Sequence, residues 1–441
     1  MNHLSSDDVL PFLIILTILL VAARLTGELF KRFRMPAVMG ELFAGVVLGP
    51  TIFGTVFPDA YQNIFASPKS PGIAFDGVSR IGIILLLFVA GMEVNLNSIR
   101  RRGKAAAKIS IASVVLPFAT GFVVTQLFFT TLFSNENSEP LIPALFMGTT
   151  LCITALSVAA KILIDLDLIK TRFGNLILTA AMINDFIGWM LFVIVINLAN
   201  LGHEVMGVIE TIISVTLFAI FLLTVGRFLI NKGFAFCENH LSKPGGSLSF
   251  AIIVCLLGAI FTEWVGIHAI FGAFLTGIAV GSCSNFKAQA REGLFHFITN
   301  IFAPLFFVSI GMRVNFITNF DWRIVSIVLA IACLGKIIGG TVGAKLSGFK
   351  INKAYAVGFA MNARGSMEIV LGLLALQAKI IDERIFVALV VMTFVTIMMA
   401  GPAIKFFLKR HEVALDRESV QRESPLTASP VNQIIQPGTQ S

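Results

Sequence analysis

Charge is scarce in this sequence: of 441 residues, 13% are Asp, Glu, Lys or Arg and 56% are hydrophobic, against roughly a quarter charged in an ordinary soluble domain. A water-soluble fold of that composition could not cover its own surface, so soluble classes are excluded. Cysteine is sparse as well. Cys152, Cys237, Cys255, Cys283 and Cys333 are scattered through apolar stretches, with neither CxxC spacing nor an even count, which removes a disulfide framework and a thiolate metal site. Long polar stretches are missing until His411.

What is present is a series of apolar blocks of about twenty residues, the length a helix needs to cross a hydrocarbon core of about 30 Å. They predict an all-α polytopic membrane protein with about thirteen transmembrane helices. The first block, Val9 to Thr26, has no basic leader and no small-residue cleavage site, so it reads as a retained span and not a signal peptide. Residues 1–8 are then an extracytoplasmic N-terminus, 9–410 the membrane domain, and 411–441 a polar, aperiodic tail expected to be disordered.

The basic residues cluster in alternate loops: Lys31, Arg32 and Arg34, then Arg100 to Lys108, then Lys161 to Arg172, and so on to the tail. About 24 of the 33 Lys and Arg fall on one side, which the positive-inside rule makes cytoplasmic. The expected location is a plasma or inner cell membrane, N-terminus outside and C-terminus inside. The net charge of +8 is explained by this asymmetry, without a nucleic-acid partner.

The chain also resembles itself. Pro36-Ala-Val-Met-Gly-Glu-Leu-Phe-Ala-Gly-Val-Val-Leu-Gly49 aligns with His268-Ala-Ile-Phe-Gly-Ala-Phe-Leu-Thr-Gly-Ile-Ala-Val-Gly281, and Phe88 to Asn95 aligns with Val308 to Asn315. On the charge-derived topology the first segment enters from the cytoplasm and its partner from outside, so the repeats, about 36–200 and 267–410, are inverted. Inverted repeats are an architecture of secondary transporters, which bind cargo near the membrane midplane where helices are interrupted.

Two spans at corresponding places carry interruption signals: Met147-Gly-Thr-Thr-Leu-Cys-Ile-Thr-Ala155, followed by Ser157, and Val357-Gly-Phe-Ala-Met-Asn-Ala-Arg-Gly-Ser366. Unwound backbone at that depth is tolerated only inside protein or along a water-filled cavity, and its free carbonyls can hold a small cation. Thr150, Thr154 and Ser157 are therefore candidate ligands, although threonines also bond back to their own helix. Arg364 at such depth needs a partner, and Glu368 one turn later supplies it. That pair is expected to be structural or to balance half-helix dipoles.

Asp185, beside Asn184 near the centre of a span from about Phe173 to Asn200, has the strongest functional claim. No basic residue lies within a turn of it, and a lone carboxylate in a membrane is costly. Such a group can trade a proton for a hard cation that prefers oxygen ligands, which is itself a mechanism of exchange. Lys336 is the other mid-span charge, either pairing with Asp185 when no ion is bound or serving as a fixed positive element. Glu41 is expected to snorkel to the interface, and Glu93 and His268, near span ends, have no assigned role.

Gly40 to Pro50, Leu87-Phe-Val-Ala-Gly-Met-Glu93, Asn184-Asp185, Lys336 and Ala363-Arg-Gly-Ser-Met-Glu368 together resemble the monovalent cation:proton antiporter superfamily, in the branch holding sodium/proton exchangers and potassium efflux systems. The resemblance spans Val9 to about Arg410. It implies a homodimer whose dimerisation domain is separate from a core that moves as an elevator, with two broken helices crossing near an essential Asp. By position, Asp185 is then the carboxylate that binds sodium or potassium and the proton, Asn184 its neighbour, Thr150 a crossover residue and Lys336 the mid-membrane base. The sequence departs from members with two adjacent carboxylates at 184–185, and from those that continue into a nucleotide-binding regulatory domain. No enzymatic activity and no cofactor are implied.

Two other classes compete. A sodium-coupled symporter of an organic anion shares the inverted-repeat plan and would need a wide polar cavity. A membrane-embedded hydrolase would need two facing carboxylates, and Glu368 is already matched with Arg364.

Overall fold

The computed structural model describes residues 6–408 apart from 34, 67–69, 95, 134–139, 167, 170, 201–212, 215, 242–244 and 266–267. The expected N-terminal segment, apart from the start of the first helix, and the expected disordered tail lie outside these residues. All regular structure among them is helical. Sixteen helices longer than one or two turns are numbered α1 (Ser6–Arg32), α2 (Ala37–Leu48), α3 (Ser70–Met92), α4 (Leu96–Leu127), α5 (Leu141–Cys152), α6 (Leu156–Asp165), α7 (Arg172–Asn200) and α8 (Arg227–His240). They continue as α9 (Gly245–Trp264), α10 (Ala269–Gly281), α11 (Ala288–Phe297), α12 (Ala303–Gly311), α13 (Trp322–Leu346), α14 (Ile351–Met361), α15 (Ser366–Gln377) and α16 (Glu383–Phe407).

Eleven spans among the described residues are long and apolar enough to cross a membrane, or twelve with the bent pair α14–α15. The expected count of about thirteen includes His268 to Gly281 as a crossing, and that apolar segment forms the short helix Ala269–Gly281. Exposed leucine, isoleucine and phenylalanine side chains run along α1, α8 and α9, which in water would be a liability and against lipid is the expected surface.

The helices pack as two bundles. One holds α4 to α7 and α13 to α16; the other holds α1 to α3 and α8 to α12. Close backbone approach holds the second together: a Cβ at Gly45 would collide with the Val308 carbonyl oxygen, and one at Gly277 would collide with that of Phe88. Only glycine lets the helices meet this way. The two crossings use equivalent residues, since Gly45 and Gly277 align in the repeat and so do Phe88 and Val308. Across the seam the bundles touch through rings, Trp189 on Phe274 at 5.6 Å and Phe30 near Phe394 at 6.5 Å.

Candidate functional site

Helix α5 stops at Cys152, where Ile153 (φ −80°, ψ 149°) and Ala155 (φ −72°, ψ 111°) are extended, a conformation β-branched Ile153 and Thr154 favour. Helix α14 stops at Met361, and α15 resumes at Ser366 with a 46° bend between them. The two interruptions meet. The Ala155 N–H donates to the Ala363 carbonyl at 2.9 Å, and the Thr154 hydroxyl donates to the Met361 carbonyl at 2.7 Å. Backbone groups freed by each break are thus partly satisfied by the other, which is what a dry interior demands.

The carbonyls at the C-terminal end of α5 are not free for a cation, contrary to the expectation from sequence. Arg364 donates to the carbonyls of Thr150 (3.2 Å) and Leu151 (2.8 Å), and Lys336 to those of Cys152 and, at 3.0 Å, Ser113. Two cations therefore cap the end of a half-helix whose dipole is negative there. Arg364 also pairs with Glu368 at 2.5 Å, the side chains being 0% and 2% exposed, and Thr393 donates to the other Glu368 oxygen at 3.4 Å.

Asp185 lies in the middle of α7, 4% exposed, and its Oδ1 has no hydrogen-bond partner. The backbone N–H of Leu156, the first residue of α6, faces the carboxylate, so the positive end of that half-helix points at it. Among the described residues no ion pair joins Asp185 to Lys336. Instead, with the Asn184 amide oxygen turned toward it, Lys336 lies 3.0 Å from that oxygen. The amide of Asn184 also touches Ser110, Ser113 and Thr154.

Of the residues singled out from sequence, Asp185, Asn184, Thr154, Lys336, Arg364 and Glu368 are brought together where the two breaks meet. Thr150 contributes its carbonyl to Arg364, while its buried hydroxyl has no partner. Ser157 is exposed and stands apart from the buried cluster. Sequence reasoning passed over Ser110 and Ser113; their signal was two serines three apart, on one face of the apolar part of α4 that follows Lys108. Glu41 does not snorkel. It is 6% exposed with Oε2 unpartnered, because α1 lies tightly on α2: a Cβ at Gly40, the residue before Glu41, would collide with the Thr26 carbonyl oxygen. His268 borders a separate cavity of about 250 Å³ at the seam, with Ser79, Arg80, Glu263 and Gln377.

This arrangement of paired helix breaks, two capping cations and one unmatched carboxylate defines a membrane transport protein. Residues 15–410 match the family described as the transmembrane sodium/hydrogen exchanger, and the chain belongs to that family. It is 32% identical over 411 residues to the Na(+)/H(+) antiporter NhaS4 of Synechocystis, covering 91% of this chain and 98% of that one. It is 32% identical over 410 residues to the K(+)/H(+) antiporter 1 of Saccharomyces cerevisiae, covering 91% of this chain and 47% of that one. The Na(+)/H(+)-K(+) antiporter GerN of Bacillus cereus is 28% identical, covering 89% of this chain and 95% of that one. The structure of the sodium proton antiporter MjNhaP1 from Methanocaldococcus jannaschii shares the fold, with a TM-score of 0.53 at 14% identity over 94% of this chain and 99% of that one.

Proposed function

We propose that the protein is a secondary active antiporter that exchanges a monovalent cation, sodium or potassium, for protons by alternating access. The observation that carries this is Asp185: a carboxylate 4% exposed, with one oxygen unpartnered and no cation within ion-pairing distance among the described residues. A group so placed holds either a proton or a metal cation, since leaving it bare and charged in a low dielectric is costly. The relatives named above are antiporters of the same ions, which supports the reading; the organic-anion symporter draws no such support.

The α7 bundle is the moving core and the bundle of α1 to α3 and α8 to α12 the dimerisation domain of a homodimer in the cell membrane. The clean division of helix packing and the sparse packing across the seam support this assignment. The repeats 36–200 and 267–410 are related by inverted topology, which the matched crossings at Gly45 and Gly277 support. The N-terminus then lies outside and the C-terminus in the cytoplasm. The test is a pH-gradient dequenching assay in proteoliposomes, adding Na⁺, K⁺, Li⁺ and choline in turn. Dequenching by Na⁺ or K⁺ but not choline is expected; equal responses to all four would reject cation exchange.

A further inference from the structure

Helix α4 carries a proline in its interior, Pro117, and runs through it without a break. Proline has no N–H, so the carbonyl four residues earlier, that of Ser113, lacks the intrahelical donor that any other residue at 117 would supply. A proline ring also crowds the carbonyl at that position and turns it away from the helix. Pro117 and Ser113 are both buried, so the missing donor has to come from protein. It comes from α13: the Lys336 ammonium donates to the Ser113 carbonyl at 3.0 Å.

The packing of α13 on α4 sets up this contact. Lys336 stands between Gly335 and Gly339, and both glycines let the helices touch backbone to backbone. A Cβ at Gly339 would come within 2.7 Å of the Ala112 carbonyl oxygen, and one at Gly335 within 3.0 Å of the Pro117 Cα. Ser113 is used twice. With the Asn184 amide oxygen turned toward Lys336, that oxygen receives the ammonium at 3.0 Å and the Ser113 hydroxyl at 2.9 Å, and the amide nitrogen donates to the Ser110 carbonyl at 3.2 Å. The ammonium therefore has three acceptors, the carbonyls of Ser113 and Cys152 and the Asn184 amide oxygen. The residue after Asn184 is Asp185, whose Oδ1 is buried without a partner.

We propose that Pro117 is a positioning residue for the exchange site: the carbonyl it leaves free on Ser113 completes the acceptors of Lys336, and a Lys336 held in this way does not compete with the cation for Asp185. This inference rests on the exchange reading above. An ammonium has three donors, and three acceptors leave none over for the carboxylate. Any other residue at 117 returns an N–H to the Ser113 carbonyl, which then holds Lys336 less firmly. Asp185 Oδ1, on the residue next to the remaining Asn184 partner, is an unpartnered acceptor of opposite charge. A Lys336 that donates to it has to be displaced before a cation binds. Pro117 touches neither cation nor proton and acts only through Lys336.

The test uses the full chain, comparing the parent with Pro117→Ala and Pro117→Gly, each alone and combined with Lys336→Gln. Dequenching in proteoliposomes with Na⁺ and K⁺ gives KM and kcat. The cation concentration that half-maximally raises the melting temperature in detergent, with choline chloride holding ionic strength constant, gives affinity without turnover. A net hydrogen bond shifts a competing equilibrium by roughly three- to tenfold, so KM and the half-effect concentration should rise by that factor in both single variants, with kcat within about twofold. The melting temperature without Na⁺ or K⁺ should hold or rise in Pro117→Ala, which regains a helical hydrogen bond, and lie lower in Pro117→Gly. KM should nevertheless be the same in the two, since both restore the N–H. With Lys336→Gln the effect of either substitution should vanish, because no ammonium is left to release. An unchanged KM in Pro117→Ala overturns the proposal, as does a KM effect that persists with Lys336→Gln. A KM that follows the loss of melting temperature, or failure of both single variants to fold, marks Pro117 as a packing residue and overturns it too. Where Lys336→Gln is inactive, the melting curves decide; where it does not fold, the comparison of the two single variants decides. A parent that moves no protons in response to either cation defeats the exchange reading itself, a different outcome from a working parent with an indifferent Pro117→Ala variant.

Discussion

Arg364 donates to the carbonyl of Leu151 at 2.8 Å, joining the end of one broken helix to the break in another 213 residues away in sequence. The same guanidinium meets Glu368 at 2.5 Å, four residues further along its own chain segment. One side chain thus ties together both interruptions and neutralises a carboxylate that has no access to water.

Arg364→Ala should therefore lower folded yield far more than it changes ion preference. It strands Glu368 in a low-dielectric site and leaves the backbone carbonyls of Thr150, Leu151 and Ala332 without this donor, a loss of about 3–5 kcal/mol. Size-exclusion profiles and melting temperatures of the detergent-purified protein check this, and Arg364→Ala with Glu368→Gln should recover part of the loss. A stable single variant with altered ion preference would reverse the assignment.

Asp185→Asn should abolish exchange and leave the protein folded. The amide keeps the size and most of the hydrogen bonding of the carboxylate, and a neutral group is cheaper to bury, so the melting temperature should hold or rise. It cannot carry a proton that a cation displaces. Cation-dependent dequenching that survives in this variant would remove Asp185 from the centre of the mechanism.

Lys336 bears on the charge moved per cycle. Its ammonium is held by the carbonyls of Ser113 and Cys152 and by the Asn184 amide oxygen, three acceptors that give it a fixed place in the packing. With Asp185 as the sole carrier, one cation replaces one proton and exchange is electroneutral. The equilibrium cation gradient of the parent in liposomes should then be indifferent to clamped membrane potential. A gradient that shifts with potential would sink the one-for-one model, and loss of the shift in Lys336→Gln would place a second proton on Lys336. The same variant should cost on the order of 2–3 kcal/mol in stability, since a charged donor to buried carbonyls is lost.

His268, between α9 and α10, carries a pH dependence of its own. Burial lowers its pKa below the usual imidazole range, Glu263 opposes that and Arg80 adds to it. A base whose folded pKa lies below its unfolded value binds fewer protons when folded, so its contribution to stability is present above the unfolded pKa, about 6.5. It is lost as pH falls through that value toward the folded pKa. The melting temperature should drop between about pH 7 and pH 5, and more shallowly in His268→Gln. Parallel slopes in the two proteins would show that other groups dominate.

Much of this protein was legible in its residues. Scarcity of charge and twenty-residue apolar blocks pointed to a helical membrane fold, because no other composition-compatible structure satisfies every backbone group in lipid. Gly148, Thr149, Thr150 and Thr154, with Gly358, Asn362 and Gly365, marked both interruptions, and the isolation of Asp185 in an apolar span marked the candidate carrier. The Arg364–Glu368 pair followed from four-residue spacing.

What sequence left open was decided by contacts between residues far apart in the chain. The carbonyls at the end of α5 read as cation ligands until Arg364, from the other half, and Lys336, from α13, were seen to occupy them. Lys336 was equally compatible with pairing to Asp185 or with a fixed place in the packing, and tertiary structure gave it carbonyl and amide partners. Glu41 looked able to reach the interface, and the close approach of α1 to α2 at Gly40 buried it. The physical reason is common to all three: a residue's own helix sets its depth and face, whereas the dielectric around it and its hydrogen-bond partners are set by whichever helix packs against that face.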